Sequence, residues 1–161
     1  MKKIIIALLS LMSASAFADI YANNGFYLGG GVAQIKASKI SKDWNVVELM
    51  GGYKHNSFVG GELRLGAAGQ SDPNITAYSS AYYRVESANN VGKTYLLAGY
   101  TYGSMSGTTD DGNFSGFSYG AGVGVVIFDT LNLNLEYRIL CKDNKHNIDL
   151  KGIGLGVDYR F

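Results

Sequence analysis

Two histidines stand near residues that could take part in nucleophilic or acid–base chemistry. His55 precedes Ser57 in the motif HNSF, and His146 lies between Asp143 and Asp149. A histidine can activate a hydroxyl group only when the two are held within hydrogen-bond reach. No acidic residue with an obvious role follows HNSF at strand spacing, and residues of this kind are typical of turns. We therefore interpret HNSF as a turn and expect no enzymatic activity.

The composition argues against several other classes of site. The two histidines and the single cysteine, Cys141, are spread over the chain without the spacing of a metal site. One cysteine cannot form an intramolecular disulfide. Cys141, in the last loop, is either a free thiol or an intermolecular link, and we favour the free thiol. The 14 basic and 13 acidic side chains nearly balance, so no nucleic-acid partner is expected. No cofactor is expected either.

The chemistry that the sequence favours is ion pairing between arginines and carboxylates. Every arginine lies on the polar face of an alternating segment, and carboxylates share that face. Arginine pairs with carboxylates through a planar fork of donors, which suits an enclosed site. Same-face neighbours along a strand are roughly 6–7 Å apart, so the partners are expected across strands and cannot be assigned. The predicted network consists of Glu48, Glu62, Arg64, Arg84, Glu86, Glu136, Arg138, Asp158 and Arg160.

Strands must position these charges, because apolar and polar residues alternate with period two along most of the chain. Segments rich in Gly, Asn, Asp and Ser separate the alternating runs, as turn chemistry requires. No stretch has a convincing helical period, and no run after the N-terminal segment is apolar enough for a spanning helix. Eight strands are predicted, near 25–35, 44–54, 58–68, 77–86, 93–103, 114–127, 131–140 and 149–161.

The N-terminal segment has the features of a secretory signal peptide. Lys2 and Lys3 precede an apolar run over 4–12, and the small-x-small motif Ala-Phe-Ala occupies 16–18. The apolar run is well short of the ~20 residues that a spanning helix needs. We predict a signal peptide over 1–18, cleaved before Asp19, and a single domain over 19–161.

The choice of residues on the two strand faces predicts an inside-out protein. In the seventh strand, Leu133 and Leu135 face away from Glu136 and Arg138. Only a closed barrel can turn an apolar face to lipid and satisfy every backbone hydrogen bond. We predict an all-β, eight-stranded antiparallel transmembrane β-barrel, an up-and-down meander with both termini in the periplasm. Aromatic girdles are predicted from Tyr53, Phe58, Tyr83, Phe128, Tyr159 and Phe161 at the periplasmic rim and from Trp44 at the outer rim.

The segments FYLGGGVA, FSYGAGVGV, LNLEYR and GIGLGVDYRF resemble the outer membrane protein β-barrel domain family. This group resembles the membrane domain of OmpA, OmpX and the opacity-type surface antigens. The resemblance implies the outer membrane of a Gram-negative cell as the location. It also implies that the terminal strand, which ends in Phe, is recognised by the outer-membrane assembly machinery. The implied assembly signal consists of Ile153, Leu155, Val157, Tyr159 and Phe161.

Three kinds of function are compatible with such a barrel. The favoured one is a structural or surface-interaction role, with contacts to lipopolysaccharide or to an unidentified host ligand. A porin is the first alternative, but the interior of eight strands is filled by side chains, and here charged groups would plug it. An enzyme that modifies lipid A is the second, but HNSF falls at a predicted periplasmic turn, away from the outer leaflet. The candidate lipopolysaccharide contacts are Lys36, Lys39, Lys42, Lys142 and Lys145.

Overall fold

The protein folds into eight β-strands. The computed structural model describes residues 24–38, 43–69, 74–88, 91–106, 112–128, 130–143 and 148–161, and the predicted signal peptide lies outside them. No helix capable of spanning a membrane occurs within these ranges. The strands are β1 (Gly25–Ala37), β2 (Asp43–Lys54), β3 (Val59–Ala68), β4 (Asn74–Ala88), β5 (Gly92–Ser106), β6 (Gly112–Phe128), β7 (Leu131–Asp143) and β8 (Ile148–Arg160).

The strands form one closed antiparallel barrel. Each strand pairs with its neighbour in sequence, and β1 pairs with β8 to close the sheet. The predicted fold class is therefore confirmed. We call the end that carries Gly25 and Arg160 the terminal end; the short connections 55–58, 89–91 and 129–130 also lie there. The opposite end, from which the other four connections leave, is called the loop end.

Alternation along each strand sends apolar side chains outward and charged ones inward over most of the barrel height. In β3, Leu63 and Leu65 are 67% and 61% exposed, whereas Arg64 between them is 1% exposed. A shift of one residue in register would exchange the two faces. The six aromatic residues predicted for the periplasmic girdle are all exposed near the terminal end, where the rings of Phe26 and Tyr53 lie 4.8 Å apart.

The two faces exchange character at the loop end. In β1, Gln34 and Lys36 point outward there, while Ile35 and Ala37 are buried inside the barrel. The strands thus continue beyond the apolar outer surface as a barrel with a polar exterior and an apolar interior. We call the residues that fill this part the apolar cap: Ile35, Ala37, Trp44, Val46, Ile75, Tyr78, Phe114, Leu140, Cys141 and Leu150.

Two predictions made from the sequence are wrong in this region. Trp44 was expected in an outer girdle, but its side chain is 2% exposed and lies in the apolar cap, because it shares strand parity with the inward Glu48. Cys141 was expected in a loop, but β7 continues to Asp143. A bulge after Ile139 turns Cys141 inward, where its side chain is buried in the apolar cap.

Candidate functional site

The predicted charge network occupies the interior of the barrel. All nine of its residues have inward-facing side chains, and only Arg160 keeps appreciable exposure, 15% of its side chain. Two groups can be distinguished along the barrel axis. The central group is Glu48, Glu62, Arg64, Glu136 and Arg138, and the terminal-end cluster is Lys54, Arg84, Glu86, Lys93, Asp158 and Arg160.

Arg64 connects the carboxylates of the central group. Its guanidinium donates to Glu62 through Nε and to Glu136 through both terminal nitrogens, with 2.9 Å between Nη2 and Oε2. Its Nη1 also lies 3.5 Å from Glu48. A buried cation with three carboxylate neighbours from three strands is a strong cross-link, provided that every partner stays in place.

Arg138 completes the central group from the other side. Its Nη2 lies 2.5 Å from both carboxylate oxygens of Glu48, and its Nε lies 2.6 Å from Glu136. Glu48 and Glu136 are therefore each shared between Arg64 and Arg138. The pair of Arg64 on β3 with Glu136 on β7 joins strands that are four apart in either direction around the closed barrel, and therefore on opposite sides of it.

Inward tyrosines, which the sequence analysis did not place in the network, supply further donors. The hydroxyl of Tyr27 donates to Glu62 at 2.6 Å, Tyr78 donates to Glu48, and Tyr95 donates to Glu136 at 3.0 Å. The ring of Tyr27 lies across Gly52, where a Cβ atom would come within 2.3 Å of the ring. Glycine on the neighbouring strand therefore makes the space that the aromatic ring occupies.

The terminal-end cluster contains two lysines that sequence reasoning missed. Lys54 Nζ lies 2.9 Å from Glu86, and Lys93 Nζ lies 2.7 Å from Asp158. Both lysines are 3% exposed. Strand parity could have revealed them, because Lys54 continues the inward positions of β2 that include Glu48.

The interior is nearly filled where the central group lies. A cavity of about 10 Å³ remains beside Glu48, Arg64 and Glu136. That volume is at or below what a single water molecule needs. Above it, toward the loop end, the apolar cap fills the barrel, so a continuous aqueous path has no room in either layer.

At the loop end, one of the five candidate lipopolysaccharide contacts is placed on the outer face. Lys36 points outward, pairs with Asp43 at 2.9 Å and lies directly opposite Lys151 in the β1–β8 register. Lys151 is itself 3.9 Å from Asp149. Lys39, Lys42 and Lys145 and the side chain of Lys142 lie outside the described part of the structure.

The motif HNSF forms the turn between β2 and β3 at the terminal end. The side-chain oxygen of Asn56 accepts hydrogen bonds from the backbone N–H groups of Phe58 and Val59, both at 2.9 Å. This is the local hydrogen bonding by which asparagine stabilises a turn. His146 lies outside the described residues. Within them, no group of His, Cys, Asp and Glu has the arrangement of a metal site.

Comparison with known proteins identifies the group to which this barrel belongs. The family model described as outer membrane protein beta-barrel domain matches residues 4–161. The chain belongs to the outer membrane protein β-barrel domain family. Membership confirms the resemblance noted in the sequence and places the protein in the outer membrane of a Gram-negative cell. No sequence among the curated proteins matches the chain.

Solved structures of outer-membrane barrels share the fold of this family member. The attachment invasion locus protein Ail of Yersinia pestis is 19% identical, with a TM-score of 0.61 over 88% of this chain and 100% of Ail. Neisserial surface protein A is 20% identical, with a TM-score of 0.63 over 85% and 97%. The N-terminal barrel domain of Pseudomonas aeruginosa OprF is 13% identical, with a TM-score of 0.66 over 86% and 100%.

The terminal strand of this family member has a continuous apolar outer face. The five residues of the implied assembly signal all point outward and are exposed: Ile153, Leu155, Val157, Tyr159 and Phe161. The ring of Tyr159 packs edge-on against Phe161 at 5.1 Å, and the backbone N–H of Phe161 donates to the carbonyl of Phe26 at 3.1 Å. The last residue is thus held in register at the β1–β8 junction.

Proposed function

We propose that this small outer-membrane barrel acts through its loop end, in a structural or cell-surface interaction role. The observation that supports this most directly is the exchange of faces above Val32, where polar side chains turn outward and the apolar cap fills the interior. A barrel that ended at the hydrocarbon boundary would not need a polar outer surface there. The strands would instead hold a rigid rim among the headgroups and sugars of the outer leaflet.

Lipopolysaccharide phosphate is the ligand that this rim favours. Lys36 and Lys151 lie opposite each other on adjacent strands and on the outer face. Like charges in this position destabilise a sheet, so an anion between them would be favourable. Lys36 is exposed and has one acidic neighbour, Asp43, which leaves its other donors available. Phosphate groups of lipid A are the dense anions at that depth of the outer leaflet.

A lipid-binding measurement tests this role. We expect the double variant K36Q/K151Q, refolded in detergent, to bind fluorescent lipopolysaccharide about tenfold more weakly than wild type, because one phosphate contact is lost. The variant D43N is the matched control. It removes the acid that competes for Lys36, so its affinity should equal or exceed that of wild type. Equal affinity for K36Q/K151Q and wild type would contradict the proposal.

A sulfated polysaccharide mimic is a useful second ligand in the same assay. Ail, one of the structural neighbours, was crystallised with the heparin analogue sucrose octasulfate. That observation concerns Ail, whose similarity to this chain lies in the fold. If the rim recognises host polyanions as well as lipid phosphate, sucrose octasulfate should compete with lipopolysaccharide for the wild-type barrel and not for K36Q/K151Q.

The orientation that goes with this role puts the terminal end in the periplasm. The predicted signal peptide would direct export, and the assembly machinery would insert the barrel by recognising β8. Short connections at the terminal end and longer ones at the loop end are the usual pattern of such barrels, with the longer loops outside. His55 would then face the periplasm, away from outer-leaflet lipid A, which supports the proposal that the protein is not an enzyme.

A closed lumen is the second part of the proposal, and conductance tests it. We expect the barrel in planar lipid bilayers to give no large, stable current steps, because the central group and the apolar cap fill its interior. Detergent-only additions give the baseline, and a porin of known conductance shows that insertion is detected. Sustained porin-like currents would overturn the closed lumen and favour the channel alternative.

A further inference from the structure

Charge is unevenly distributed along the axis of the lumen. The central group has two arginines and three carboxylates, whereas the terminal-end cluster has four cations and two carboxylates. Arg84 also donates to Glu62 of the central group at 2.7 Å. If Arg84 is counted there, the central group is balanced and the terminal end still has three cations for two carboxylates. Among the described side chains inside the barrel, an excess of positive charge remains at the terminal end in either case.

Both carboxylates of the cluster are already surrounded by donors. Glu86 accepts from Lys54 at 2.9 Å, from Arg84 at 3.0 Å and from Arg160 at 2.5 Å. Asp158 accepts from Lys93 at 2.7 Å and from the side-chain amides of Asn132 and Asn134 at 3.0 and 2.5 Å. The carboxylates therefore have little capacity to satisfy further N–H groups.

Two donors of the cluster make no hydrogen bond, Nη2 of Arg84 and Nε of Arg160. Nη2 of Arg84 still lies 2.9 Å from a carboxylate oxygen of Glu86, whereas Nε of Arg160 has no carboxylate oxygen that close. The Nε of Arg160 is enclosed and makes no hydrogen bond with any described residue. The nearest carboxylate oxygen, Oδ1 of Asp158, is 3.8 Å away, which is too far for a hydrogen bond. No ion pair joins the α-carboxylate of Phe161 to the cluster within the described part of the chain. An enclosed, unpaired guanidinium N–H in a region of excess positive charge is the kind of group that an anion satisfies.

Access to this cluster is from the terminal end. The apolar cap closes the loop end, and the central group fills the middle of the barrel. Arg160 is the member of the cluster that keeps contact with solvent. An anion that approached from the terminal end would meet Arg160 first, with Lys54 and Lys93 deeper in the lumen.

We propose that the terminal-end cluster binds a phosphate group, with Arg160 as the primary ligand and Lys54 and Lys93 providing the surrounding positive charge. Arginine offers a fork of donors that fits phosphate oxygens. The phosphate could come from free inorganic phosphate or from the headgroup of a phospholipid in the leaflet at the terminal rim. The assignment of the phospholipid to the periplasmic leaflet rests on the orientation given under the proposed function. The binding of phosphate to the cluster does not depend on that orientation.

Calorimetric titration of the refolded barrel tests the site. The detergent is dodecyl maltoside, which carries neither charge nor phosphate, and the background is K36Q/K151Q, so that the loop-end lysines cannot contribute. The two ligands are inorganic phosphate and dihexanoyl phosphatidylglycerol, each compared with chloride at equal ionic strength. We expect saturable one-to-one binding that chloride does not reproduce. Binding of both ligands identifies the phosphate group itself as the determinant, and binding of the phospholipid alone identifies the headgroup.

The variant R160Q, added to that background, shows whether the binding belongs to this cluster. It leaves Glu86 with Lys54 and Arg84, so the barrel should still fold, which the shift between cold and boiled gel migration checks. We expect phosphate affinity to fall about tenfold. Unchanged affinity in R160Q overturns the site, as does the loss of all saturable binding in K36Q/K151Q alone. The second outcome would leave the loop-end proposal intact, so the two proposals can fail separately.

Discussion

Replacing Arg64 by alanine is expected to lower the free energy of unfolding by about 3–5 kcal/mol, the range for breaking a buried ion pair. The side chain is 1% exposed and is the shared partner of Glu62, Glu136 and Glu48. Without it, the three carboxylates of the central group keep Arg138 and the contact of Arg84 with Glu62. The truncation opens a cavity where the side chain lay, and water that enters it supplies no positive charge to the three carboxylates.

Urea unfolding of the barrel in lipid vesicles, followed by tryptophan fluorescence, measures this loss. Lys36→Ala is the matched control, because its pair with Asp43 is exposed and pairs of that kind contribute about 0–1 kcal/mol. Adding Glu136→Gln to Arg64→Ala should recover part of the loss, since one uncompensated carboxylate is removed. Equal losses for Arg64→Ala and Lys36→Ala would show that the central group does not stabilise the barrel.

Deletion of Phe161 is expected to reduce the amount of folded barrel in the outer membrane several-fold. The deletion removes the aromatic residue that ends the apolar face of β8 and leaves the chain ending at Arg160, whose side chain points into the lumen. It also removes the backbone bond to Phe26. If the assembly machinery recognises the outer face of β8, the altered end is a poorer ligand. Outer-membrane fractions run cold and boiled on gels measure the folded protein.

Phe26→Ala is the matched control for that deletion. Phe26 is an equally exposed aromatic at the same rim, 67% exposed against 75% for Phe161, but it belongs to β1. We expect its loss to leave outer-membrane levels near wild type. Both proteins should also refold in detergent in vitro, where no machinery is needed. Normal outer-membrane levels of the Phe161 deletion in cells would contradict a role of the terminus in assembly. If the deletion variant also fails to refold in vitro, the defect lies in the stability of the barrel instead.

The strand number and the inward face could be predicted because both depend on local alternation. Glu62 and Arg64 fall inside the barrel as soon as Leu63 and Leu65 fall outside. The ion-pair partners could not be predicted in this way. Arg64 meets Glu136, 72 residues away, and that meeting depends on how all eight registers combine around the barrel, which no single segment encodes.

The loop end was predicted less well, for a physical reason. A rule that reads apolar positions as lipid-facing fails where the strands leave the apolar zone and the two faces exchange character. Ile35 and Trp44 are apolar and point inward, so the strand ends were predicted too short and Trp44 was assigned to the wrong face. Strand parity alone assigns both side chains correctly to the inside of the barrel, because parity does not depend on what surrounds the barrel.

The apolar cap has a consequence for how the protein can change. Ile35, Trp44 and Leu140 fill the interior at the loop end with their own side chains, so this part of the barrel has an apolar core made by the strands themselves. Insertions and replacements are best tolerated in surface loops, where few residues contribute to the core. The rim can therefore serve as a frame on which segments of unrelated sequence are displayed, and surface variation can accumulate there while the strands below stay the same.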